Sequence, residues 1–120
     1  MSRIRPVVLH VEDNEAQRQT LKDILEESGF AVLQANTAEE ALQLCRDTAI
    51  SLVLADHMFS GSSGTELARH IKAIKPNVPV ILHSGSAPTS MRHLDAFVHK
   101  GEPVPALIKF LTELSNRFWE

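Results

Sequence analysis

Two adjacent acids, a lone aspartate, a serine and a lysine each follow one of the short apolar runs of this chain. They are Glu12, Asp13, Asp56, Ser84 and Lys100. If the runs are parallel strands, their carboxyl ends lie along one edge of the sheet, where ligand chemistry collects. Carboxylates about 4 Å apart repel by about 4 kcal/mol per pair at an effective dielectric of about 20, so three of them need a compensating charge. Mg²⁺, which takes one or two carboxylates together with waters and phosphate oxygens, would supply it.

An edge of this kind could accept a phosphoryl group. Aspartate is a competent nucleophile for forming an acyl phosphate, and Asp56 is the candidate because it stands alone after the run expected at the centre of the sheet. Lysine and serine side chains would then contact the phosphate oxygens. Each residue also has an ordinary explanation: Asp13 or Asn14 could cap a helix, Asp56 could lie in a turn, and Lys100 could be solvated. The agreement of all four strand ends favours the chemical interpretation.

Five apolar runs alternate with amphipathic stretches. The runs cover residues 7–11, 30–33, 50–55, 78–82 and 96–98, and near-continuous apolar character is typical of strands buried on both faces of a parallel sheet. Helical stripes are centred on residues 21–28, 38–45, 65–74 and 107–118. Gly29 is placed to end the first helix, while Thr37 and Glu40 form a candidate capping box for the second. Strict alternation predicts a doubly wound parallel sheet with helices on both faces.

The fourth crossover is the weak point of this pattern. Only 12 residues run from Ser84 to Asp95, and they include Pro88 and little helical periodicity. A parallel crossover needs about a dozen residues. We therefore expect the fourth crossover helix to be shortened to a turn or absent.

Composition limits the remaining possibilities. The 120 residues predict a single domain over 1–120, and a net charge of −3 does not suggest direct binding of nucleic acid or an anionic membrane. The lone Cys45 cannot form an internal disulfide, and no apolar run approaches the ~20 residues of a membrane span. We expect a soluble, cytoplasmic protein.

Four motifs, in order, resemble the receiver domain of bacterial response regulators, and the resemblance covers nearly the whole chain. They are the stretch 11–14 with its acidic pair, Asp56 with Gly64 eight residues later, the strand 78–85 that ends in Ser84, and Phe97 to Lys100. The resemblance implies a five-stranded doubly wound sheet of order 2-1-3-4-5. It also implies two-component signalling, in which a histidine kinase or a histidine phosphotransfer protein donates a phosphoryl group.

The same resemblance implies roles for individual residues. Asp56 would be the phosphoacceptor, and Mg²⁺ would be bound by Glu12, Asp13, Asp56 and the backbone carbonyl of Met58. Ser84 and Lys100 would contact the phosphoryl group, and Phe97 would rotate inward as Ser84 moves. Such a domain is a signalling switch that catalyses only its own phosphoryl transfer and dephosphorylation, and is not otherwise an enzyme.

Three features depart from the family pattern. Ser60 and Gly101 stand where proline is usual, so we expect a looser loop after Asp56 and a different placement of Lys100. The short fourth crossover removes a helix that relatives use for output. These departures keep open a pseudo-receiver, meaning an interaction module that works without phosphorylation. A flavoprotein or an aspartyl phosphatase on the same fold fits less well, because two acids follow the first strand and Met58 occupies the place of a second aspartate.

Overall fold

The computed structural model describes residues 5–59 and 62–119, with side chains as far as Asn116. Four helices and seven strands lie in this part of the chain. In order they are β1 (Val7–Val11), α1 (Glu15–Glu27), β2 (Ala31–Ala35), α2 (Ala38–Asp47), β3 (Leu52–Ala55), β4 (Met58–Phe59), β5 (Ser62–Ser63), α3 (Gly64–Ile74), β6 (Val80–Ser84), β7 (Ala96–His99) and α4 (Val104–Trp119).

Five strands form one parallel sheet in the order β2-β1-β3-β6-β7. Numbered among themselves, these strands have the order 2-1-3-4-5, which confirms the predicted topology. The short β4 and β5 make a separate antiparallel hairpin just after β3, which the sequence analysis did not predict. The sheet places β3, and the residue that follows it, at its centre.

Two hydrophobic layers cover opposite faces of the sheet, because successive side chains of a strand point to opposite sides. On β1, Leu9 and Val11 pack in the layer that contains buried residues of α2 and α3. Val8 packs in the other layer, with buried residues of α1 and α4. This is the predicted doubly wound arrangement, and it leaves the carboxyl edge of the sheet free for the site.

Local signals set the helix ends where the sequence suggested. Asn14, and not Asp13, caps α1, with its side chain accepting a hydrogen bond from the Gln17 N–H. Thr37 caps α2 by accepting from the Glu40 N–H at 3.1 Å. Gly29 follows α1 with φ +101°, a conformation that glycine adopts without strain. Because Asn14 performs the capping, the Asp13 carboxylate is left for another role.

The fourth crossover contains no helix: residues 85–95 form bends and turns. This confirms the expectation of a shortened or absent helix. Asp95 fixes the end of the segment, since its Oδ2 accepts from the Val80 N–H and from Lys72 Nζ, both at 2.7 Å. The crossover is thus irregular but tied to β6 and α3.

Two expectations fall on residues outside the described part of the chain. One is the looser loop at Ser60 after Asp56, and the other is the place of the Phe118 side chain on the apolar stripe of the last helix. Across the described residues, none of the helices combines the length and the apolarity that crossing a lipid bilayer requires.

Candidate functional site

Glu12 and Asp56 lie side by side at the carboxyl edge of the sheet. Each follows directly after a strand, and the strands are neighbours, with Val11 paired to Ala55. The Asp56 N–H donates to the carbonyl of Val11 at 3.0 Å, which holds the two chain segments together. Glu12 is only 2% exposed. The parallel pairing therefore brings two carboxylates together, one of them buried.

Lys100, which follows the edge strand β7, contacts both carboxyl groups of this pair. Its Nζ lies 3.2 Å from Asp56 Oδ1 and 3.5 Å from Glu12 Oε2. The Lys100 N–H donates to the Ser84 carbonyl at 2.8 Å, which continues the β6–β7 pairing by one residue. Although Gly101 follows Lys100, and no cis peptide occurs among the described residues, the ammonium reaches Asp56. Whether Lys100 is placed differently from its counterpart in relatives stays a prediction.

The pKa values of Glu12 and Asp56 are shifted in opposite directions because the surroundings of the two carboxyl groups differ. Burial, and then the adjacent Asp56 carboxylate, raise the pKa of Glu12 above its usual range, and Lys100 only partly offsets this. Burial also opposes ionisation of Asp56. Hydrogen bonds from the Glu12 carboxyl, the His57 N–H at 2.8 Å and Lys100 outweigh it and lower the pKa of Asp56. Asp56 is thus held as a carboxylate, as a nucleophile must be.

Asp13 and Met58 are placed near the acid pair but are less constrained. Asp13 follows Glu12 directly and is exposed, and its side chain forms no hydrogen bond or ion pair with another described residue. Met58 lies two residues after Asp56 in β4, and its side chain is 60% exposed. Their roles as metal ligands stay predictions.

Ser84 and Phe97 occupy neighbouring strands at the same edge. Ser84 ends β6, is 3% exposed, and its Oγ accepts from the Ser86 N–H at 3.2 Å. Phe97 is half-buried on β7, and its ring meets the His99 ring edge-on, with centroids 6.3 Å apart. The predicted movement of these two side chains also stays a prediction.

The donor chemistry of the acid pair fits Mg²⁺. No three aspartate, glutamate, histidine or cysteine side chains within the described ranges converge into a metal cage of their own. Mg²⁺ does not need one, because it commonly uses one or two carboxylates and fills its shell with water and phosphate oxygens. The buried Glu12 carboxyl beside Asp56 offers hard oxygen ligands, and Asp13 adds a third at the next position.

Sequence reasoning missed one residue of this site, Gln17. Its Oε1 accepts from Lys100 Nζ at 2.8 Å, a shorter distance than Lys100 makes to either carboxylate. The signal was present, since Gln17 extends the α1 stripe of Leu21 and Ile24 by one turn towards the carboxyl edge.

A cavity of about 440 Å³ lies beneath the site, between the sheet and α1. His10 and His83 are among the residues that line it, together with Glu12, Gln17 and Lys100. Burial lowers the pKa of each of these histidines to about 4. Both are therefore neutral near pH 7.

A doubly wound parallel sheet with an acid pair, a central aspartate and a lysine at its carboxyl edge defines the receiver class of α/β proteins. Residues 8–101 match the family described as the response regulator receiver domain, and the chain belongs to this family. It is thus a receiver domain of the kind used in two-component systems.

Named relatives agree with this assignment. The chain is similar to a CheY-like receiver domain protein from Methanospirillum hungatei JF-1, with a TM-score of 0.89, 26% identity, and 96% of this chain and 97% of that chain covered. It is similar to response regulator protein TrrA from Thermotoga maritima in complex with Mg(2+)-BeF, with a TM-score of 0.84, 28% identity, and 91% and 98% covered.

Among curated proteins, the chain is similar to the autoinducer 1 sensor kinase/phosphatase LuxN of Vibrio campbellii. The two are 32% identical over 82 residues, which is 68% of this chain. The matched region spans only 10% of the length of LuxN.

Proposed function

We propose that this chain is a phosphoacceptor receiver domain, which takes a phosphoryl group onto Asp56 in a Mg²⁺-dependent reaction. The observation that carries the proposal is the 3.2 Å approach of Lys100 Nζ to Asp56 Oδ1, with the Glu12 carboxyl at the same edge. The Asp56 carboxylate can act as the nucleophile, and the Lys100 ammonium can bind the negative charge of a phosphoryl group. The Glu12 carboxyl can help to bind the cation that such a group requires. The donor would be a sensor histidine kinase or a histidine phosphotransfer protein.

The transfer is an in-line displacement at phosphorus. Asp56 Oδ2 forms the new P–O bond while Oδ1 remains on the His57 N–H. The P–N bond to the donor histidine breaks, and its electron pair stays on the departing imidazole. Lys100 Nζ then donates to a phosphoryl oxygen, and the hydroxyl of Ser84 donates to another. Hydrolysis of the same acyl phosphate by water would restore the Asp56 carboxylate.

Glu12, Asp13, Asp56 and the Met58 carbonyl are the residues that would hold Mg²⁺. When bound, the metal supplies neutralisation of the charge that develops on the transferred phosphoryl oxygens. TrrA, whose structure contains Mg(2+)-BeF, is the relative from which we carry this metal to the present chain. Lys100 would share its ammonium between the acid pair and the phosphoryl group.

Phosphorylation would be read out by Ser84 and Phe97. A hydroxyl that moves towards the phosphoryl group vacates space at the end of β6, and Phe97 on the adjacent β7 could turn into it. Without a fourth crossover helix, the output surface would differ from the usual one. We place the protein in the cytoplasm, with protein partners and no direct contact with nucleic acid or membrane, and regard it as a switch and not as an enzyme for another substrate.

Intact mass measurement after incubation with acetyl phosphate and Mg²⁺ tests the proposal. The wild type should gain one phosphoryl group, and omission of Mg²⁺ or the change Asp56→Asn should abolish the adduct. Asp47→Asn, at the exposed end of α2, is the matched control and should still be modified.

A pseudo-receiver is the second candidate, and it is favoured by Gly101 in the place of the usual proline after Lys100 and by the lack of a helix in residues 85–95. Absence of the phosphoryl adduct in the wild type, together with no Mg²⁺ binding by calorimetry, would establish this alternative and reject the first.

A further inference from the structure

Among the described residues, Lys100 Nζ contacts three side chains. It forms ion pairs with the carboxylates of Glu12 and Asp56, at 3.5 and 3.2 Å. It donates a hydrogen bond to Gln17 Oε1 at 2.8 Å, on α1, 83 residues away in sequence. The ammonium is therefore held from both sides, by charged groups on the sheet and by a neutral group on the helix.

The backbone of Gln17 is fixed at the start of α1. Its N–H donates to Asn14 Oδ1 at 2.9 Å, which is the N-cap interaction of the helix. The exposed side chain therefore begins at a fixed point directly after the acidic pair, and its amide oxygen meets Lys100 Nζ. An amide oxygen can hold a lysine without neutralising its charge, so the full positive charge still faces Asp56.

We propose that Gln17 is a positioning residue for Lys100, which holds the ammonium over Asp56 and thereby sets the rate at which the phosphoryl group is gained. This inference rests on the proposed phosphoacceptor function. Gln17 acts through Lys100 and does not itself touch the reacting atoms. Without the amide oxygen, the ammonium would turn towards water or Glu12 and would spend less time in the geometry that transfer requires.

The decisive change is Gln17→Met, because methionine has a similar length and lacks the acceptor oxygen. We expect adduct formation from acetyl phosphate and Mg²⁺ to slow about five-fold, the effect of losing one hydrogen bond to a partly exposed charged group. Gln19→Met is the matched control. Gln19 lies on the same helix, and its side chain donates to Asp23 at 3.0 Å on the exposed surface. This control should react at the wild-type rate.

A double-mutant comparison separates positioning from a general structural effect. In a Lys100→Met background, the further change Gln17→Met should leave the rate unaltered. NMR of the Lys100 side chain in the unphosphorylated protein gives a second readout, since Gln17→Met should shift its ε-methylene resonance and Gln19→Met should not.

A wild-type rate in Gln17→Met with an unchanged Lys100 resonance would overturn the inference. A slowing that persists in the Lys100→Met background would overturn it as well. If the wild type forms no adduct, the proposed function fails, and the Lys100 resonance still decides whether Gln17 holds the ammonium.

Discussion

The backbone carbonyl of Asp56 lies directly against the Cα of Gly64. A Cβ added at residue 64 would overlap this carbonyl oxygen and stand 2.5 Å from Leu82 Cδ1. The Gly64 N–H also donates to the His57 carbonyl at 2.8 Å, so α3 begins in contact with the segment that carries the candidate phosphoacceptor. The spacing of eight residues noted in the sequence thus has a steric cause.

Gly64→Ala should therefore destabilise the fold. Overpacking against side chains usually costs about 1–3 kcal/mol, and we expect the upper part of this range because the main obstacle is backbone. Urea unfolding measures the loss. Gly85→Ala, where a Cβ would meet nothing within 4 Å, is the control and should remain close to wild type. Equal stability of the two variants would show that the backbone at Asp56 can shift at little cost to make room for a Cβ at residue 64.

Replacing the Glu12 carboxylate should raise the stability of the metal-free protein and weaken its binding of Mg²⁺. Glu12→Gln keeps the size of the buried side chain but relieves its repulsion with Asp56, so the metal-free variant should be about 1 kcal/mol more stable than the wild type near pH 8. Mg²⁺ at ten times its dissociation constant should stabilise the wild type by about 1.4 kcal/mol and the variant much less, because the variant keeps only part of the proposed ligand set.

Thermal unfolding with and without Mg²⁺ provides the comparison. Glu26→Gln, which alters an exposed acid on α1, is the control and should retain the response to Mg²⁺. If Mg²⁺ stabilises Glu12→Gln as strongly as the wild type, Glu12 is not a ligand.

His83 should make the protein sensitive to acid. Burial, and then the positive charge of Lys100, lower the pKa of His83 to about 4, and Asp56 offsets this only in part. Because the ordinary value in the unfolded chain is about 6.5, the unfolded state takes up the proton first. The contribution of His83 to stability is therefore complete above about pH 6.5 and is lost as the pH falls towards 4.

His83→Leu should reduce this dependence. One proton contributes at most about 1.4 kcal/mol per pH unit to the slope, and the variant should lose a substantial part of that between pH 6.5 and 4.5. Urea unfolding at several pH values measures the slope, with the exposed His70→Gln as control. An unchanged slope in His83→Leu would mean that His83 is protonated in the folded state at these pH values.

Sequence periodicity predicted most of the fold, because each element carries its own local signal. The strands β1 and β7 begin where their apolar runs begin, and Thr37 and Gly29 mark helix ends through their own backbone and side-chain chemistry. The other limits were less accurate. β2 runs to Ala35, beyond its apolar run, because pairing with Val11 determines where it ends. Where pairing with a neighbouring strand determines the end of a strand, the strand's own sequence does not predict that end.

The same distinction applies to the site. Parallel pairing made the meeting of Glu12, Asp56 and Lys100 predictable, since each follows a strand. Gln17 was missed because its contact with Lys100 depends on how α1 packs over the sheet edge. The exposure of Asp13 could not be predicted either, because the sequence did not show that Asn14, and not Asp13, would be the N-cap of α1.

The fourth crossover should depend on Asp95 for its structure. The carboxylate accepts from the Val80 N–H and from Lys72 Nζ, both at 2.7 Å, and Lys72 also donates to the Val78 carbonyl at 2.9 Å. Asp95→Ala leaves the Val80 N–H without its side-chain acceptor and leaves the Lys72 ammonium with the Val78 carbonyl alone, which should cost about 1–3 kcal/mol. Asp47→Ala removes an exposed carboxylate that, among the described residues, accepts from Gln43 alone, and it should cost much less. Urea unfolding gives both values, and hydrogen exchange at Val80 should rise in Asp95→Ala alone. If both variants unfold alike, the crossover is held by its backbone and apolar contacts, and Asp95 is dispensable.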